Sequence, residues 1–319
     1  MRNLTTRLLT GAVLLMALQG CSSTSGWYHL PAAEFDQIDY GYAMHTTRVR
    51  NIRVGYIDEG KGDVVLLIHG LGSNAKGWSR NIPALTGAGH RVIAVDLPGY
   101  GYSDKEPYKY SMSFYATVLG EVLTNLGIEK ATWVGHSMGG QIAMTAALEQ
   151  PERVARLVLI SPAGFETFTD GEGDWMRRAV SSEFVQDTTI RNIAVNLKSN
   201  FHDAPAEADF MITDRIQVRG AKDFKAYCDA VSLNVGAMLD GPVKDRLGDI
   251  TQPVLVLFGE NDNLIPNRFL HGGRTRDVAE AGTALLPNAR LVMVPSCGHF
   301  VQFEKPTETN DAVLAFLAR

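Results

Sequence analysis

Cysteine is scarce in this sequence, with three residues, Cys21, Cys228 and Cys297, among 319. Three cysteines this far apart cannot build the dense disulfide framework on which many small secreted folds depend. A hydrophobic content of 45% over this length is instead sufficient to bury a large core. We therefore expect a fold held together by packing, in which Cys228 and Cys297 are either buried thiols or a single disulfide.

The sequence also lacks an excess of basic residues, an internal repeat and any metal-ligand spacing. Its 30 Lys and Arg residues stand against 35 Asp and Glu residues, which gives a net charge of −5. An acidic chain has no electrostatic basis for binding nucleic acid. We therefore predict no nucleic-acid partner and no metal site.

The apolar stretch near the N-terminus, from Leu8 to Leu18, is too short to cross a bilayer as a helix. Arg2 and Arg7 precede it, and it ends in Leu18-Gln19-Gly20-Cys21. This arrangement resembles the signal sequence of bacterial lipoproteins, in which the cysteine is lipidated and becomes the new N-terminus. An ordinary cleaved signal peptide is the alternative.

The lipoprotein resemblance divides the N-terminal region into a signal peptide at 1–20 and a lipidated tether and N-terminal extension at 21–45. It implies a lipid anchor on Cys21, and Ser22 in place of Asp implies sorting to the outer membrane. The polar segment from Ser22 to Gly26 is consistent with a domain held near a membrane surface. We therefore expect a lipid-anchored protein of a bacterial cell envelope, facing the periplasm or the surface.

Strands and helices are predicted to alternate from Thr46 onward. Several short apolar runs are typical of strands buried on both faces, and amphipathic segments between them are typical of helices. The runs are 64–69, 91–96, 131–135, 155–161, 253–259 and 289–295, and the clearest helical segments are 113–126, 137–149 and 307–317. With two further short strands between Thr47 and Asp58, this alternation predicts a mostly parallel sheet flanked by helices.

The alternation is interrupted between the sixth and seventh strands. Residues 165–250 contain no comparable apolar run, and their pattern is helical and richer in charge. An insertion at this point would lie over the carboxyl edge of the sheet, where ligands bind in open α/β folds. We therefore predict a core at 46–164 and 251–319 and a helical cap at 165–250, with a purely stabilising subdomain as the alternative.

One motif suggests catalysis: Gly135-His136-Ser137-Met138-Gly139-Gly140, directly after the run that ends at Val134. It predicts a strand that turns sharply into a helix with Ser137 at the apex. The glycines indicate a turn too tight for side chains, with backbone angles that other residues avoid. The start of the helix carries partial positive charge, which favours an oxyanion beside the serine. We therefore interpret Ser137 as a nucleophile.

Suitable partners for a serine nucleophile follow in the chain. Asp262 and His299 each come just after a predicted strand, so parallel strands would bring both to the same edge as Ser137. His299 is the candidate base, and Asp262 is the candidate acid that orients it. Glu260, two residues earlier, is the competing acid. This chemistry requires no cofactor.

The order Ser, Asp, His resembles that of the α/β-hydrolase fold family, and the resemblance covers nearly all of residues 46–319. His69-Gly70-Leu71-Gly72 and Asp96-Leu97-Pro98-Gly99-Tyr100-Gly101-Tyr102-Ser103 also resemble motifs of that family. The resemblance implies an eight-stranded sheet with a helical cap after the sixth strand. It also implies an oxyanion hole formed by the backbone N–H groups of Leu71 and Met138.

The resemblance to lipases and esterases predicts a serine hydrolase that cleaves carboxylic esters through an acyl-enzyme, with a small-molecule or lipid ester as its substrate. Two alternatives are open. One is a carbon–carbon bond hydrolase of the same fold, although that group usually has asparagine at the position of His136 and a different loop after His-Gly. The other is a non-catalytic member of the family that binds a ligand.

Overall fold

The computed structural model describes residues 25–318. The predicted signal peptide and Cys21 lie outside these residues. Eight strands form one sheet: β1 Met44–Val49, β2 Ile52–Gly60, β3 Val64–Ile68, β4 Arg91–Val95, β5 Ala131–His136, β6 Val154–Ile160, β7 Val254–Gly259 and β8 Ala289–Val294. Their order in the sheet is β1-β2-β4-β3-β5-β6-β7-β8, and only the β1–β2 and β2–β4 pairs are antiparallel. The predicted mostly parallel, eight-stranded sheet is confirmed.

The central strands are buried because both of their faces are covered. Every residue of β5 and of β7 is buried, and β3 and β4 are each exposed only in part at their first residue. A strand buried on both faces needs a continuous apolar run rather than alternation, and this is the pattern that the sequence shows. The carboxyl ends of β3, β5, β6, β7 and β8 therefore meet at one edge of a rigid sheet.

The helices connect the strands and cover the sheet. In chain order they are α1 Ile82–Gly87, α2 Met112–Asn125, α3 Met138–Glu149, α4 Asp170–Ala179, α5 Ser182–Asp187, α6 Ile190–Ser199, α7 Asp209–Gln217, α8 Phe224–Asp240, α9 Thr275–Ala284, α10 Val301–Glu304 and α11 Pro306–Leu317. Short 3₁₀ segments lie at Ser25–His29, Phe35–Gln37, Ala75–Trp78, Pro151–Arg153, Ala206–Ala208, Val218–Gly220 and Lys244–Asp249. Helix α2 packs against α3, while α1 packs against α11.

The segment between β6 and β7 is helical, comprising α4 to α8. Its first three helices are preceded by the N-cap residues Thr169, Ser181 and Thr189, whose hydroxyl oxygens accept hydrogen bonds from backbone N–H groups in the first turn. Such N-caps stabilise a helix start by about 1 kcal/mol each. The backbone carbonyl of Asn200 in this segment accepts a hydrogen bond from His299 N, at 2.7 Å. The helices therefore lie over the carboxyl edge of the sheet, and we refer to them as the cap.

The N-terminal extension is packed against the domain from Phe35 onward. Phe35, Ile38 and Tyr40 are buried. The backbone N–H of Ala33 donates to the carbonyl of Gln217 in the cap, at 3.1 Å. This part of the predicted tether and extension therefore forms a structural wall beneath the cap.

Two further features bear on the environment of the chain. Within residues 25–318, no helix combines the length and the apolar character that a membrane crossing requires. Cys228 and Cys297 are both buried free thiols, and burial raises the pKa of Cys228 to about 11. The structure therefore has Cys228 and Cys297 as buried thiols and not as a disulfide.

Candidate active site

Ser137 lies at the sharp turn between β5 and α3. Its φ of 53° and ψ of −118° place a non-glycine residue in a rarely occupied backbone region. A Cβ on Gly135 would lie 2.2 Å from the carbonyl oxygen of Gly139, and a Cβ on Gly139 would lie 2.3 Å from that of Ile68. These glycines are therefore required for close approach, while the unusual backbone angles fall on the serine itself. Strain of this kind is typical of functional sites.

His299 and Asp262 are brought together at the same edge of the sheet. His299 Nδ1 lies 2.7 Å from Asp262 Oδ2, and both side chains are almost fully buried. The other carboxylate oxygen, Oδ1, accepts hydrogen bonds from the backbone N–H groups of Leu264 and Ile265, at 2.8 and 3.1 Å. The carboxylate is thus fixed in orientation, and it holds the proton on Nδ1 so that Nε2 is free to act as a base.

Glu260, the competing acid, points elsewhere. Its carboxylate pairs with Arg276 at the surface. Of the two acids considered from the sequence, only Asp262 contacts His299. Ser137 and His299 both line one cavity, and Asp262 contacts His299 without lining the cavity itself.

The loop that carries His299 is tied to the cap. Glu304 accepts three backbone N–H bonds, from Gly298 at 2.7 Å, His202 at 3.1 Å and Asp203 at 2.7 Å. His202 and Asp203 belong to the cap, as does Asn200, whose carbonyl accepts from His299 N. The position of the histidine therefore depends on the cap as well as on the sheet.

His136 supports His299 from below. Its Nε2 lies 3.0 Å from the backbone carbonyl of His299, and the two rings are 4.8 Å apart. Because a carbonyl can only accept, Nε2 carries the hydrogen. Burial, together with the neighbouring His299, holds the pKa of His136 well below its usual value, so the ring is neutral. His136 is a positioning residue in this geometry.

The predicted oxyanion donors lie on the two sides of Ser137. Leu71 follows β3 and lines the cavity, and Met138 is the first residue of α3. Among residues 25–318, neither backbone N–H donates to a protein acceptor. Both groups are therefore available to a ligand, and their role in an oxyanion hole stays a prediction.

Buried polar residues hold the loop that carries Leu71. Asp96 accepts hydrogen bonds from Ala75 N at 2.7 Å, Tyr102 N at 2.7 Å and the Tyr40 hydroxyl at 3.1 Å. His69 accepts from Leu97 N at 3.0 Å through Nε2 and donates to Gly70 O at 2.8 Å through Nδ1. Burial lowers the pKa of His69 to about 4 and raises that of Asp96 to about 6. Both residues act in the structure rather than in proton transfer.

A cavity of about 760 Å³ lies between the cap and the sheet edge. Its walls come mainly from apolar side chains of the cap, with contributions from Phe300 after the histidine and from Phe35, Ile38 and Tyr40 of the N-terminal extension. This volume is typical of a site for a small molecule. In the part of the chain that the structure describes, no group of three or more His, Cys, Asp or Glu side chains is placed to hold a metal ion.

Arg215 of α7 is the residue that the sequence did not indicate. Of the described residues that line the cavity, it is the one Lys or Arg. Its guanidinium donates to the carbonyl of Gly72 at 2.5 Å and lies 4.7 Å from the ring centre of Tyr227. A single arginine in a charged cap helix carries no sequence signal, because its role depends on which face of the helix meets the cavity.

Comparisons with known proteins agree with this architecture. A family model described as the alpha/beta hydrolase fold matches residues 63–216. A curated relative from Burkholderia vietnamiensis, a 2-hydroxy-6-oxononadienedioate/2-hydroxy-6-oxononatrienedioate hydrolase, is 35% identical over 280 residues, covering 84% of this chain and 92% of the relative. A probable hydrolytic enzyme from Pseudomonas aeruginosa superimposes with a TM-score of 0.79 at 28% identity, over 90% of this chain and 99% of that one. A meta-cleavage product hydrolase from Pseudomonas fluorescens superimposes with a TM-score of 0.72 at 26% identity, over 86% of this chain and 97% of that one.

These relatives overturn the predicted ester hydrolase and agree better with the carbon–carbon alternative. The compounds for which the curated relative is named contain ketone, enol and carboxylate groups but no ester. In the sequence, His136 argues against that alternative, because asparagine is usual at this position. In the structure it is a neutral N–H donor to a backbone carbonyl, and an asparagine amide is also a neutral donor. The chain is a hydrolase, and it belongs to the α/β-hydrolase fold family.

Proposed function

We propose that this protein hydrolyses a carbon–carbon bond in 2-hydroxy-6-oxo-2,4-dienoates, with Ser137, His299 and Asp262 as the catalytic triad. The observation that carries the proposal is Arg215, a cation in the cavity wall beside Gly72. A dienoate substrate presents a carboxylate at one end, which a guanidinium binds well. Neutral esters would leave this cation without a partner. The names of the curated relatives support the same class of substrate.

The proposed reaction needs a leaving group that can accept an electron pair on carbon. Ketonisation first moves the proton of the 2-hydroxyl group to C5. Ser137 Oγ then attacks the C6 carbonyl while His299 takes its proton, and the backbone N–H groups of Leu71 and Met138 stabilise the oxyanion. The C5–C6 bond breaks, and its electron pair is delocalised to the C2 oxygen, which receives the proton from His299.

The second half of the reaction releases the acyl group. Water attacks the acyl ester of Ser137, with His299 as the base, and the serine is regenerated. The products are 2-hydroxypenta-2,4-dienoate and the carboxylic acid derived from C6. Asp262 holds the tautomer of His299 throughout, because its carboxylate is fixed by two backbone N–H groups.

The test is product analysis with the purified protein and 2-hydroxy-6-oxohepta-2,4-dienoate. We expect equal amounts of hydroxypentadienoate and acetate by mass spectrometry, and a loss of at least about a thousandfold in rate for Ser137→Ala. Ser161→Ala is the matched control, because Ser161 also has a positive φ, of 41°, at the end of the neighbouring strand. No cleavage by folded wild-type protein, or equal rates for wild type and Ser137→Ala, would refute the proposal.

The location of the enzyme is a separate part of the proposal. It rests on the lipoprotein-like sequence around Cys21, and it places the enzyme on the outer membrane, anchored by lipid. Cys21→Ser is expected to release the protein from membranes, whereas Cys228→Ser, which changes a buried thiol, leaves it bound. Labelled fatty acid that is incorporated equally by wild type and Cys21→Ser, or by neither, would contradict the anchor.

A further inference from the structure

The cavity reaches the loops after β3 and β6, which lie on the two sides of the strand that carries the serine. Ser137 follows β5, which lies between β3 and β6 in the sheet. The loop after β3 carries Gly72, and the loop after β6 carries Glu166 and Phe168. We call the part of the cavity around Gly72 and Arg215 the β3 arm. The β6 arm is the part lined by Glu166, Phe168, Asp170, Met176, Val180 and Phe184.

The β3 arm is suited to a carboxylate. Arg215 lines it, and the neighbouring acid, Asp214, is already paired with Lys76 at 2.7 Å. Both members of that pair are largely buried, with side chains 16% and 15% exposed. Asp214 therefore does not neutralise Arg215, whose contacts are the carbonyl of Gly72 and the ring of Tyr227. The charge of the guanidinium is available to a ligand.

The β6 arm has the opposite character. Four of its six side chains are apolar, and its charged groups, Glu166 and Asp170, are both acidic. Glu166 accepts bonds from Asn267 N at 2.9 and 3.1 Å and lies 2.5 Å from His271 Nδ1. His271 also contacts Glu172, at 3.2 Å, so any charge on the imidazole is shared between two carboxylates. This arm offers no cation to a ligand.

We infer that the natural substrate carries a single carboxylate, on its dienoate end, and an apolar group on C6 that fills the β6 arm. This inference rests on the proposed function and narrows it. The curated relative is named for a dienedioate, which has a second carboxylate at the far end of the acyl part. In this protein, that second carboxylate would be desolvated among apolar side chains and beside two acids.

The deciding comparison uses two substrates with the same nine-carbon chain: 2-hydroxy-6-oxonona-2,4-dienoate and 2-hydroxy-6-oxonona-2,4-dienedioate. They differ only in whether the chain ends in a methyl group or a carboxylate. Because an unpaired carboxylate loses its hydration without a compensating partner, we expect kcat/KM to favour the monoacid by about a hundredfold or more. The wild-type protein alone gives this ratio.

A pair of variants tests whether the β6 arm is the part of the cavity that discriminates between the monoacid and the dioate. Met176→Lys places a cation in the β6 arm and is expected to reduce the preference for the monoacid at least about tenfold. Met211→Lys is the matched control, since Met211 lines the cavity but follows Phe210 on α7, near Arg215. The control is expected to leave the ratio within about threefold of the wild-type value. An unchanged ratio in folded Met176→Lys would overturn the assignment to this arm.

The outcomes separate the two proposals. A preference for the monoacid supports the inference. Equal or faster cleavage of the dioate overturns it while leaving carbon–carbon hydrolysis intact. If neither compound is cleaved by the folded wild type, the proposed function itself is wrong, and the inference falls with it.

Discussion

At the scale of single residues, Arg215 lies in the cavity wall beside the predicted oxyanion hole, and we propose that it binds the substrate carboxylate. Its guanidinium contacts Gly72, next to the predicted oxyanion donor Leu71, and faces the cavity. We expect Arg215→Gln to lower kcat/KM for a hydroxy-oxo-dienoate at least about 30-fold, because a charged hydrogen bond to the carboxylate is lost. Arg219→Gln, just beyond the end of the same helix and outside the cavity lining, is the control. Equal effects of the two substitutions on steady-state kinetics would contradict the assignment of Arg215.

Burial of His69 makes stability depend on pH. Its pKa is about 4 in the folded protein and near 6.5 in the unfolded chain, so between these values the unfolded chain binds the extra proton. The free energy of unfolding therefore rises with pH across this window and falls on acidification. Asp96 acts in the opposite sense, because its raised pKa, about 6, makes the folded state bind the extra proton above pH 4.

The two residues can be separated by substitution. When the pH falls from 6.5 to 5, the contribution of His69 to the free energy of unfolding falls by about 1.5 kcal/mol. His69→Gln is therefore expected to lose that much less stability than wild type over the same interval, and Asp96→Asn to lose more than wild type. Urea denaturation at the two pH values measures both. If the free energy of unfolding changed equally with pH in wild type and in both variants, titration of His69 and Asp96 would not be the cause of the pH dependence.

Single residues also show how far the site can be predicted from the sequence. Ser137, Asp262 and His299 could be proposed because each follows a strand at the same sheet edge. Glycine spacing indicated the tight turn, but it placed the unusual backbone angles on the glycines instead of on Ser137. Arg215 could not be found, because its contact with Gly72 joins residues 143 positions apart in the chain.

At the scale of elements, Glu304 joins the cap to the loop that carries His299. Its carboxylate accepts three backbone N–H bonds, and each donor left unsatisfied costs about 1–3 kcal/mol. Glu304→Gln presents an amide N–H to at least one of these donors. We expect a kcat about tenfold lower and a lower melting temperature, with KM nearly unchanged, since Glu304 does not line the cavity.

The control for this substitution is Glu308→Gln in the first turn of α11, where the side chain is exposed. It is expected to leave both kcat and melting temperature at wild-type values. If Glu304→Gln behaved like this control, the hydrogen bonds of Glu304 between the cap and the His299 loop would not contribute to activity or stability.

The strands could be predicted because burial on both faces requires continuous apolar runs, and β3 to β7 have them. The N-terminal extension could not be assigned in the same way. Phe35, Ile38 and Tyr40 are isolated apolar residues in a polar stretch. Phe35 contacts Tyr227 of the cap and Tyr40 contacts Tyr102 of the core, and both partners are distant in sequence. Long-range packing of this kind leaves no local pattern.

At the scale of the whole molecule, core and cap have different roles. The core carries the predicted nucleophile, base and oxyanion donors, and such groups serve ester and carbon–carbon hydrolysis equally well. We propose that the scissile bond is selected by the side chains that the cap adds to the cavity, above all Arg215 and the apolar β6 arm. The prediction of an ester substrate was wrong because it used the motifs of the core and the presence of a cap, without the side chains that the cap places in the cavity.

The central claim is tested most directly by comparing two scissile bonds that share one acyl group. The measurement is kcat/KM for 2-hydroxy-6-oxohepta-2,4-dienoate and for p-nitrophenyl acetate, both of which transfer an acetyl group to Ser137. The account predicts that the dienoate is preferred, that its preference is lost in Arg215→Gln, and that both activities disappear in Ser137→Ala. Serine-dependent cleavage of the ester without cleavage of the dienoate would contradict it.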